Sequence, residues 1–240
     1  MEKNIDSLVG ANKARLSELE NLLGYRFTDL RLLQKALIHS SFAFEQAQGG
    51  NDNEKLEFLG DAVLDLVIGH LLFHRYDEMR EGELTKLRAS LVNEQHLAKM
   101  AREVNLGNFL ALGKGEDASQ GRQKSSILSC AYEAVIGAIF EDGGYDTVVE
   151  IVERFFIPAL KEKKEELLLA DSKSRLQELL QEKYNEGPSY QVDGEEGPSH
   201  KKIFTVSVTF QDKILGSGRA GSKKEAEQRA AADALNRLLP

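Results

Sequence analysis

The chain has 240 residues, 41% of them hydrophobic, and is therefore long enough to bury one large core or two ordinary ones. Charged residues make up 29% of the chain and the net charge is −8, a mixture that excludes a disordered chain and a collagen-like repeat. No apolar run reaches the roughly 18 residues that a membrane span requires, so we expect no membrane partner.

Helical periodicity dominates the first two thirds of the sequence. The periodic segments include 32–37, 57–73, 84–104 and 125–140. Strand-like alternation of useful length does not occur in this region of the sequence. These patterns predict an all-α domain over residues 1–165.

The pattern changes after a charged segment at 161–166, which is expected to end a helix and lead into a linker at 166–172. Beyond it, Ile203–Phe210 alternates in the way that a half-buried strand requires. Tyr190 and Val192 indicate an earlier strand, 214–217 a later one after a turn at 212–213, and helical segments at 174–184 and 222–239 enclose all three. The sequence therefore predicts a multidomain protein in which a small α+β domain of order α-β-β-β-α, residues 173–240, follows the all-α domain.

Three carboxylates lie on one face of a predicted helix. Glu54, Glu57 and Asp61 are spaced i, i+3 and i+7, which places them within about 60° of one another around the helix axis. Like charges a turn apart repel each other, and a divalent cation such as Mg²⁺ would offset that repulsion. The alternative is a solvated acidic face, although the neighbouring residues are strongly apolar.

Another carboxylate stands alone in an apolar helix. Glu133 is the only charged residue between Lys124 and Glu141, and a charge in such surroundings is paired, protonated or coordinated. Small residues follow it and would let a second helix approach closely. Packing against the first helix would then bring Glu57, Asp61 and Glu133 together. A glutamate paired with a local partner is the alternative.

These segments together resemble the ribonuclease III nuclease domain. The resemblance rests on the runs 54–61 (EKLEFLGD), 88–92 (RASLV) and 126–134 (SILSCAYEA), which stand in the family's order and spacing. It implies a homodimeric, metal-dependent endoribonuclease in which each subunit cuts one strand of double-stranded RNA. Glu57, Asp61 and Glu133 match metal-binding positions, and the last two also match catalytic positions. Two further acids match supporting positions near the cleft, namely Glu54 and Glu81.

The resemblance also implies a cofactor and a chemistry. The cofactor would be Mg²⁺, with Mn²⁺ as a possible substitute, and no small-molecule cofactor is expected. Hydrolysis would leave 5′-phosphate and 3′-hydroxyl ends, in the processing of rRNA precursors and mRNA. Phe58 matches an aromatic residue that inserts into the partner subunit, while an ordinary core position is the alternative reading. The single cysteine is in keeping with a cytoplasmic protein.

Cys130 departs from the family pattern, which usually has Asp at this position, three residues before Glu133. A thiol is a soft ligand that suits Mg²⁺ poorly, so the site would lose one oxygen ligand. A water molecule in its place would leave Glu57, Asp61 and Glu133 to hold the metal with weaker affinity. The alternative is a catalytically impaired double-stranded RNA-binding protein that serves as an RNA chaperone or assembly factor. Because the other carboxylates are all present, we favour retained cleavage.

The last helix begins with a capping box, formed by Ser222 and Glu225. Its first turn nevertheless contains Lys223 and Lys224, where acidic side chains are preferred. An external anion would explain this, because lysines and free backbone N–H groups at a helix N-terminus form a phosphate clamp. A solvated pair of surface lysines is the alternative.

The C-terminal segment resembles the double-stranded RNA-binding domain. The resemblance rests on the runs 175–178 (RLQE), 197–200 (GPSH) and 223–226 (KKEA). That domain recognises A-form shape across two minor grooves and the phosphates between them. The implied RNA contacts are, in chain order, Gln177, Glu178, Pro198, Ser199, His200, Ser222, Lys223 and Lys224. The helical pair would meet one minor groove, the loop residues the next, and the last three the intervening phosphates.

Overall fold

A computed structural model describes residues 5–46, 51–198 and 200–239. The chain forms two compact units, Met1–Lys161 and Glu162–Pro240, and each has its own hydrophobic core. The predicted domain limits, 1–165, 166–172 and 173–240, stay predictions. None of the helices in the described ranges combines the length and apolarity needed to cross a membrane.

The first unit is helical, as the periodicity predicts. Its helices are α1 (Ile5–Leu23), α2 (Leu30–Ala36), α3 (Ser40–Glu45), α4 (Glu54–Arg75), α5 (Glu81–Val92), α6 (Glu94–Glu103), α7 (Lys114–Ala118) and the start of α8 (Ser125–Tyr184). Short 3-10 turns occur at Leu106–Asn108 and Gly121–Gln123. The core side chains include Leu16, Leu33, Leu64, Ile68, Leu87, Leu91, Tyr132 and Phe156.

The periodic segment 84–104 is two helices rather than one. Asn93 has an extended backbone (φ −75°, ψ 159°), ends α5 and caps α6. Its side-chain oxygen accepts a hydrogen bond from the N–H of His96 at 2.9 Å. A short polar side chain satisfies an unpaired helix N–H in this way, which favours a new helix start.

Helix α8 continues where the sequence analysis placed a linker. Residues 166–172 are helical, within a run from Ser125 to Tyr184 that has one break at Gly144 (φ 76°). No glycine or proline occurs between Pro158 and Gly187, and the intervening segment is rich in Lys, Glu and Leu, which are good helix formers. The expectation that the charged residues end a helix was therefore wrong.

The second unit contains a three-stranded antiparallel sheet in the order β1 (Ser189–Glu196), β2 (Ile203–Phe210) and β3 (Lys213–Ala220), followed by α9 (Lys223–Leu238). The α+β prediction is confirmed. The turn between β2 and β3 lies at Gln211 and Asp212, one residue earlier than expected, and both residues have positive φ (48° and 61°). Such a two-residue turn matches the right-handed twist of the strands that it joins.

The core of this unit lies between the sheet, α9 and the last part of α8. Its buried residues are Leu176, Leu180, Val206, Val208, Phe210, Ala220, Ala226, Ala230, Ala231, Ala234 and Leu235. The core-facing residues of β2 are the alternating Phe204, Val206, Val208 and Phe210, in agreement with the pattern of a half-buried strand. The alanine stripe of α9 lets the helix lie close to the sheet.

Candidate active site

Two glycines bring α4 and α8 into close contact. A Cβ atom on Gly60 would overlap the carbonyl oxygen of Glu133, and one on Gly137 would overlap the carbonyl oxygen of Leu56. The two helix backbones therefore touch where side chains would otherwise separate them. Glu57 lies one turn before Gly60, and Glu133 one turn before Gly137, so the crossing turns both carboxylates towards the same point.

Three potential metal ligands meet at this crossing. One carboxylate oxygen each from Glu57 and Glu133, and the Sγ atom of Cys130, all lie within 4.8 Å of one another. All three side chains are partly buried. The thiol of Cys130 donates a hydrogen bond to Glu57. The structure thus brings together two of the predicted ligands and the residue that departs from the family pattern.

The electrostatics of the cluster favour bound positive charge. Burial raises the pKa of Glu133 to about 7, and the negative charges of Asp61 and Glu57 contribute further. Burial and the neighbouring Glu57 raise the pKa of the Cys130 thiol to about 12. A protonated thiol is a poor nucleophile, so Cys130 is not placed for covalent catalysis.

The remaining predicted acids lie outside the three-residue cluster. Asp61 is exposed, one turn after Glu57 on α4, and its charge acts on Glu133. Glu54 and Glu81 are exposed in the first turns of α4 and α5. Glu81 accepts a hydrogen bond from the Thr85 hydroxyl at 3.0 Å. Their predicted supporting roles stay predictions.

The donor set fits a divalent cation. Carboxylate oxygens suit a hard ion, and a cation between Glu57 and Glu133 would offset the cost of ionising two partly buried acids. Asp61 adds negative potential at the edge of the cluster. Cys130 contributes a soft donor that an ordinary magnesium site lacks.

Phe58 is 80% exposed, so it does not lie in the hydrophobic core of this unit, which was the alternative interpretation. It begins an apolar stripe on α4 that continues through Leu66 and Phe73, which are 59% and 66% exposed. Sequence reasoning missed this stripe, because the apolar density of the segment indicated a fully buried helix. The sequence did contain a signal for it, because the spacing of Phe58, Leu66 and Phe73 places them on one face of α4. That face lies opposite the equally apolar face that is buried.

The predicted RNA contacts occupy exposed positions in the second unit. Gln177 and Glu178 lie on the outer face of α8, and Pro198 and His200 in the loop between β1 and β2. Ser199 lies outside the described residues. These placements leave the side chains accessible, and their contacts with RNA stay predictions.

The first turn of α9 has the geometry expected of a capped helix. The Ser222 hydroxyl accepts the N–H of Glu225 at 3.2 Å, and Lys223 and Lys224 are exposed beside it. Glu195 of β1 forms ion pairs with Lys223 at 3.3 Å and Lys202 at 2.9 Å. These two lysines hold the pKa of Glu195 below its usual value. Sequence reasoning missed this acidic residue among the lysines because the contact crosses from strand to helix.

Comparison with known families gives matches for both units. Residues 29–160 match the family model described as "Ribonuclease-III-like". Residues 172–238 match the model described as "Double-stranded RNA binding motif". The candidate cluster lies within the first match, and the lysine-bearing turn of α9 within the second.

Individual relatives agree with these matches. The chain is 68% identical over 235 residues to Ribonuclease 3 of Desulfotalea psychrophila, and the alignment covers 98% of each chain. It is 46% identical to Ribonuclease 3 of Syntrophobacter fumaroxidans, covering 92% of this chain and 93% of the relative. Among solved structures, the nuclease domain of ribonuclease III from Campylobacter jejuni is 46% identical with a TM-score of 0.55, covering 60% of this chain and 94% of that domain. A second structure of that domain, with the same identity and TM-score, covers 59% of this chain and 99% of its own, and its description refers to flexibility in a region involved in dimer formation.

Proposed function

Because this chain belongs to the ribonuclease III family, we propose that it is an endoribonuclease that hydrolyses phosphodiester bonds in double-stranded RNA. The observation that carries the proposal is the meeting of Glu57 and Glu133 at the crossing of α4 and α8, with Asp61 beside them. A protein that merely binds an anionic duplex gains nothing from carboxylates gathered in one place. Gathered carboxylates are useful where a cation stands between them and a phosphate.

The metal-binding residues in this proposal are Glu57, Asp61 and Glu133, and the ion is Mg²⁺ or, in its place, Mn²⁺. When bound, such an ion polarises the phosphodiester and lowers the pKa of an attacking water. The carboxylates position the ion, and the glycine crossing holds their backbones in fixed relation. Glu133, with its pKa near 7, must lose its proton before it can bind a cation, so metal binding is expected to weaken as the pH falls. The products would carry 5′-phosphate and 3′-hydroxyl ends.

The second unit supplies duplex binding in this proposal. Exposed side chains on α8, in the β1–β2 loop and at the start of α9 are the candidate contacts. A phosphate group placed at the first turn of α9 would meet Lys223, Lys224 and free backbone N–H groups together. Shape recognition of this kind depends little on base sequence, which suits an enzyme acting on paired regions of rRNA precursors and mRNA.

A homodimer is the proposed active form. Support comes from the exposed apolar stripe on α4, since exposed residues of this size in a row mark an interaction surface. Phe58 follows Glu57 in the sequence, so a partner covering the stripe would approach the helical turn that carries one residue of the acidic cluster. Pairing two such units would present two clusters to one duplex.

The alternative is a double-stranded RNA-binding protein that no longer cleaves. The observation that favours it is Cys130, whose thiol occupies a position in the cluster where an oxygen ligand would bind Mg²⁺ more tightly. The two partly buried carboxylates argue against it, since a protein without metal chemistry has no use for them.

A cleavage assay separates the two proposals. The substrate is a long, fully paired RNA duplex in Mg²⁺, with the wild type compared with Glu57→Gln and Glu133→Gln. The matched control is Glu150→Gln, an exposed acid further along α8. We expect the wild type and the control to cleave, and the two cluster variants to lose cleavage while they still bind the duplex. If the wild type binds the duplex but does not cleave it at any Mg²⁺ or Mn²⁺ concentration, the enzyme proposal is wrong and the alternative of a binding protein remains.

A further inference from the structure

We propose that Cys130 makes the acidic cluster a site for a thiophilic divalent cation of the Zn²⁺ class, held by the Cys130 sulfur and the carboxylates of Glu57 and Glu133. This ion is not the cation that supports cleavage; it competes with Mg²⁺ for the same ligands. The consequence for activity rests on the proposed function, whereas the binding itself does not.

The three donor atoms are already gathered. Their mutual distances do not exceed 4.8 Å. A four-coordinate zinc ion lies at about 2.3 Å from sulfur and about 2.0–2.2 Å from carboxylate oxygen, so neighbouring ligands of one ion are about 3.5 Å apart. Each glutamate has three rotatable side-chain bonds through which its carboxylate can approach a shared ion.

The backbone geometry holds the donors in place. Cys130 and Glu133 are three residues apart on α8, so both side chains project from the same face of the helix. Glu57 is held opposite them because α4 and α8 touch at Gly60 and Gly137. The Cys130 thiol already interacts with the Glu57 carboxylate as a hydrogen-bond donor.

The chemistry of the donors distinguishes between cations. Thiolate sulfur selects Zn²⁺ and related soft or borderline ions, whereas Mg²⁺ prefers an all-oxygen environment and retains several waters. One sulfur with two carboxylates leaves a fourth position open to water in a tetrahedral site. Because both classes of ion need Glu57 and Glu133, a bound thiophilic ion excludes the Mg²⁺ on which cleavage would depend.

The binding experiment uses the full-length protein, freed of metal and without RNA. Cd²⁺ is titrated while the ultraviolet absorption of a cadmium–thiolate bond is followed, and affinity is measured by calorimetry. The matched variants are Cys130→Ser, which keeps the size of the side chain but replaces sulfur with oxygen, and Cys130→Asp, which supplies a carboxylate. We expect one thiolate-bound Cd²⁺ per wild-type chain and no such absorption in either variant. Cys130→Ser should bind Cd²⁺ at least tenfold more weakly, equivalent to about 1.4 kcal/mol.

A second experiment uses only the wild type, so its result does not depend on whether the Cys130 variants fold. Cys130 is the only cysteine, so the mass added by iodoacetamide reports on that residue alone. We expect stoichiometric Zn²⁺ to slow alkylation at least tenfold, EDTA to restore it, and Mg²⁺ at the same concentration to have no effect. Equal alkylation with and without Zn²⁺, or equal Cd²⁺ affinity in the wild type and Cys130→Ser, overturns the proposal.

The proposed endoribonuclease function and the thiophilic metal site can each be contradicted without the other. A protein that cleaves duplex RNA but shows no thiolate–metal absorption loses this inference and keeps its enzymatic function. A protein that shows the absorption but never cleaves loses the enzymatic function and keeps the thiophilic site. If both hold, Zn²⁺ inhibits cleavage by the wild type, and Cys130→Asp needs more than tenfold higher Zn²⁺ for the same inhibition.

Discussion

The α-carbon of Gly60 on α4 lies against the main-chain carbonyl of Glu133 on α8, with no room between them for a side chain. This contact sets the distance between the two helices at the point where the carboxylates meet. The glycine is therefore part of the site even though it contributes no functional group.

An alanine at this position should disturb both stability and metal binding. We expect Gly60→Ala to lower the free energy of unfolding by about 3 kcal/mol, because its methyl group meets rigid backbone rather than a flexible side chain. Urea denaturation measures the loss. The matched control is Gly10→Ala on α1, where a methyl group meets nothing within 4 Å and should stabilise the helix by about 0.5–1 kcal/mol. Equal stability of the two variants contradicts the close crossing.

Glu133 should make stability depend on pH. Its pKa is about 7 in the folded chain and about 4.5 when unfolded, so between these values the folded state retains a proton that the unfolded state has lost. Stability from this group is therefore fully present below pH 4.5 and falls as the pH rises to 7. Without divalent cations, we expect Glu133→Gln to exceed the wild type in stability by on the order of 2 kcal/mol at pH 8, less than the full pKa difference implies because the side chain is only partly buried and solvent screens its charge, and the difference to vanish towards pH 4.5.

The measurement is urea denaturation of both proteins at several pH values in EDTA. Added Mg²⁺ should reduce the difference at pH 8, because a cation stabilises the ionised carboxylate of the wild type. A stability difference that does not change between pH 4.5 and 8 argues against the raised pKa.

Phe58 should be necessary for self-association. We expect Phe58→Glu to convert a dimer to a monomer in analytical ultracentrifugation at micromolar concentration, because it places a charge in the exposed apolar stripe of α4. The matched control is Ile214→Glu on β3, which replaces an apolar side chain that is 67% exposed in the second unit. A dimer that survives Phe58→Glu, or a wild type that is monomeric, contradicts the proposed interface.

The α9 lysines should contribute electrostatic, sequence-independent affinity for duplex RNA. Replacing Lys223 and Lys224 with alanine should weaken binding at least tenfold at about 0.1 M salt. The slope of log affinity against log salt should become shallower by about one for each phosphate that the variant no longer neutralises. Binding titrations at several salt concentrations measure both quantities. An unchanged slope would mean that the two lysines do not bind phosphate.

Glu195 should weaken the affinity for duplex RNA, whereas the α9 lysines strengthen it. Because it is ion-paired with Lys202 and Lys223, its carboxylate competes with RNA phosphate for both ammonium groups. We expect Glu195→Gln to bind duplex RNA several-fold more tightly than the wild type, with a steeper salt dependence. The control is Glu186→Gln, an exposed acid between α8 and β1. Equal affinity of the wild type and Glu195→Gln would show that the ion pairs do not compete with RNA.

Local patterns in the sequence were sufficient for the fold class of each unit and for the candidate chemistry. The period of the apolar residues distinguishes the helices from β2, and a lone Glu133 in an apolar helix marks a special position. These features depend on neighbours a few residues apart, so they can be recognised without a structure. The continuous helix at 166–172 was missed because charge was taken as a break where no helix-breaking residue occurs.

The tertiary structure decided which of these residues meet. Periodicity put Glu57 and Asp61 on one face, but only the crossing of α4 and α8 places Cys130 with Glu57 and Glu133 and leaves Asp61 exposed outside that group. The same packing turns Phe58 outward. These contacts join residues more than 70 positions apart, and they depend on how closely the backbones of α4 and α8 approach each other. The spacing of residues along one helix gives no information about that interhelical distance.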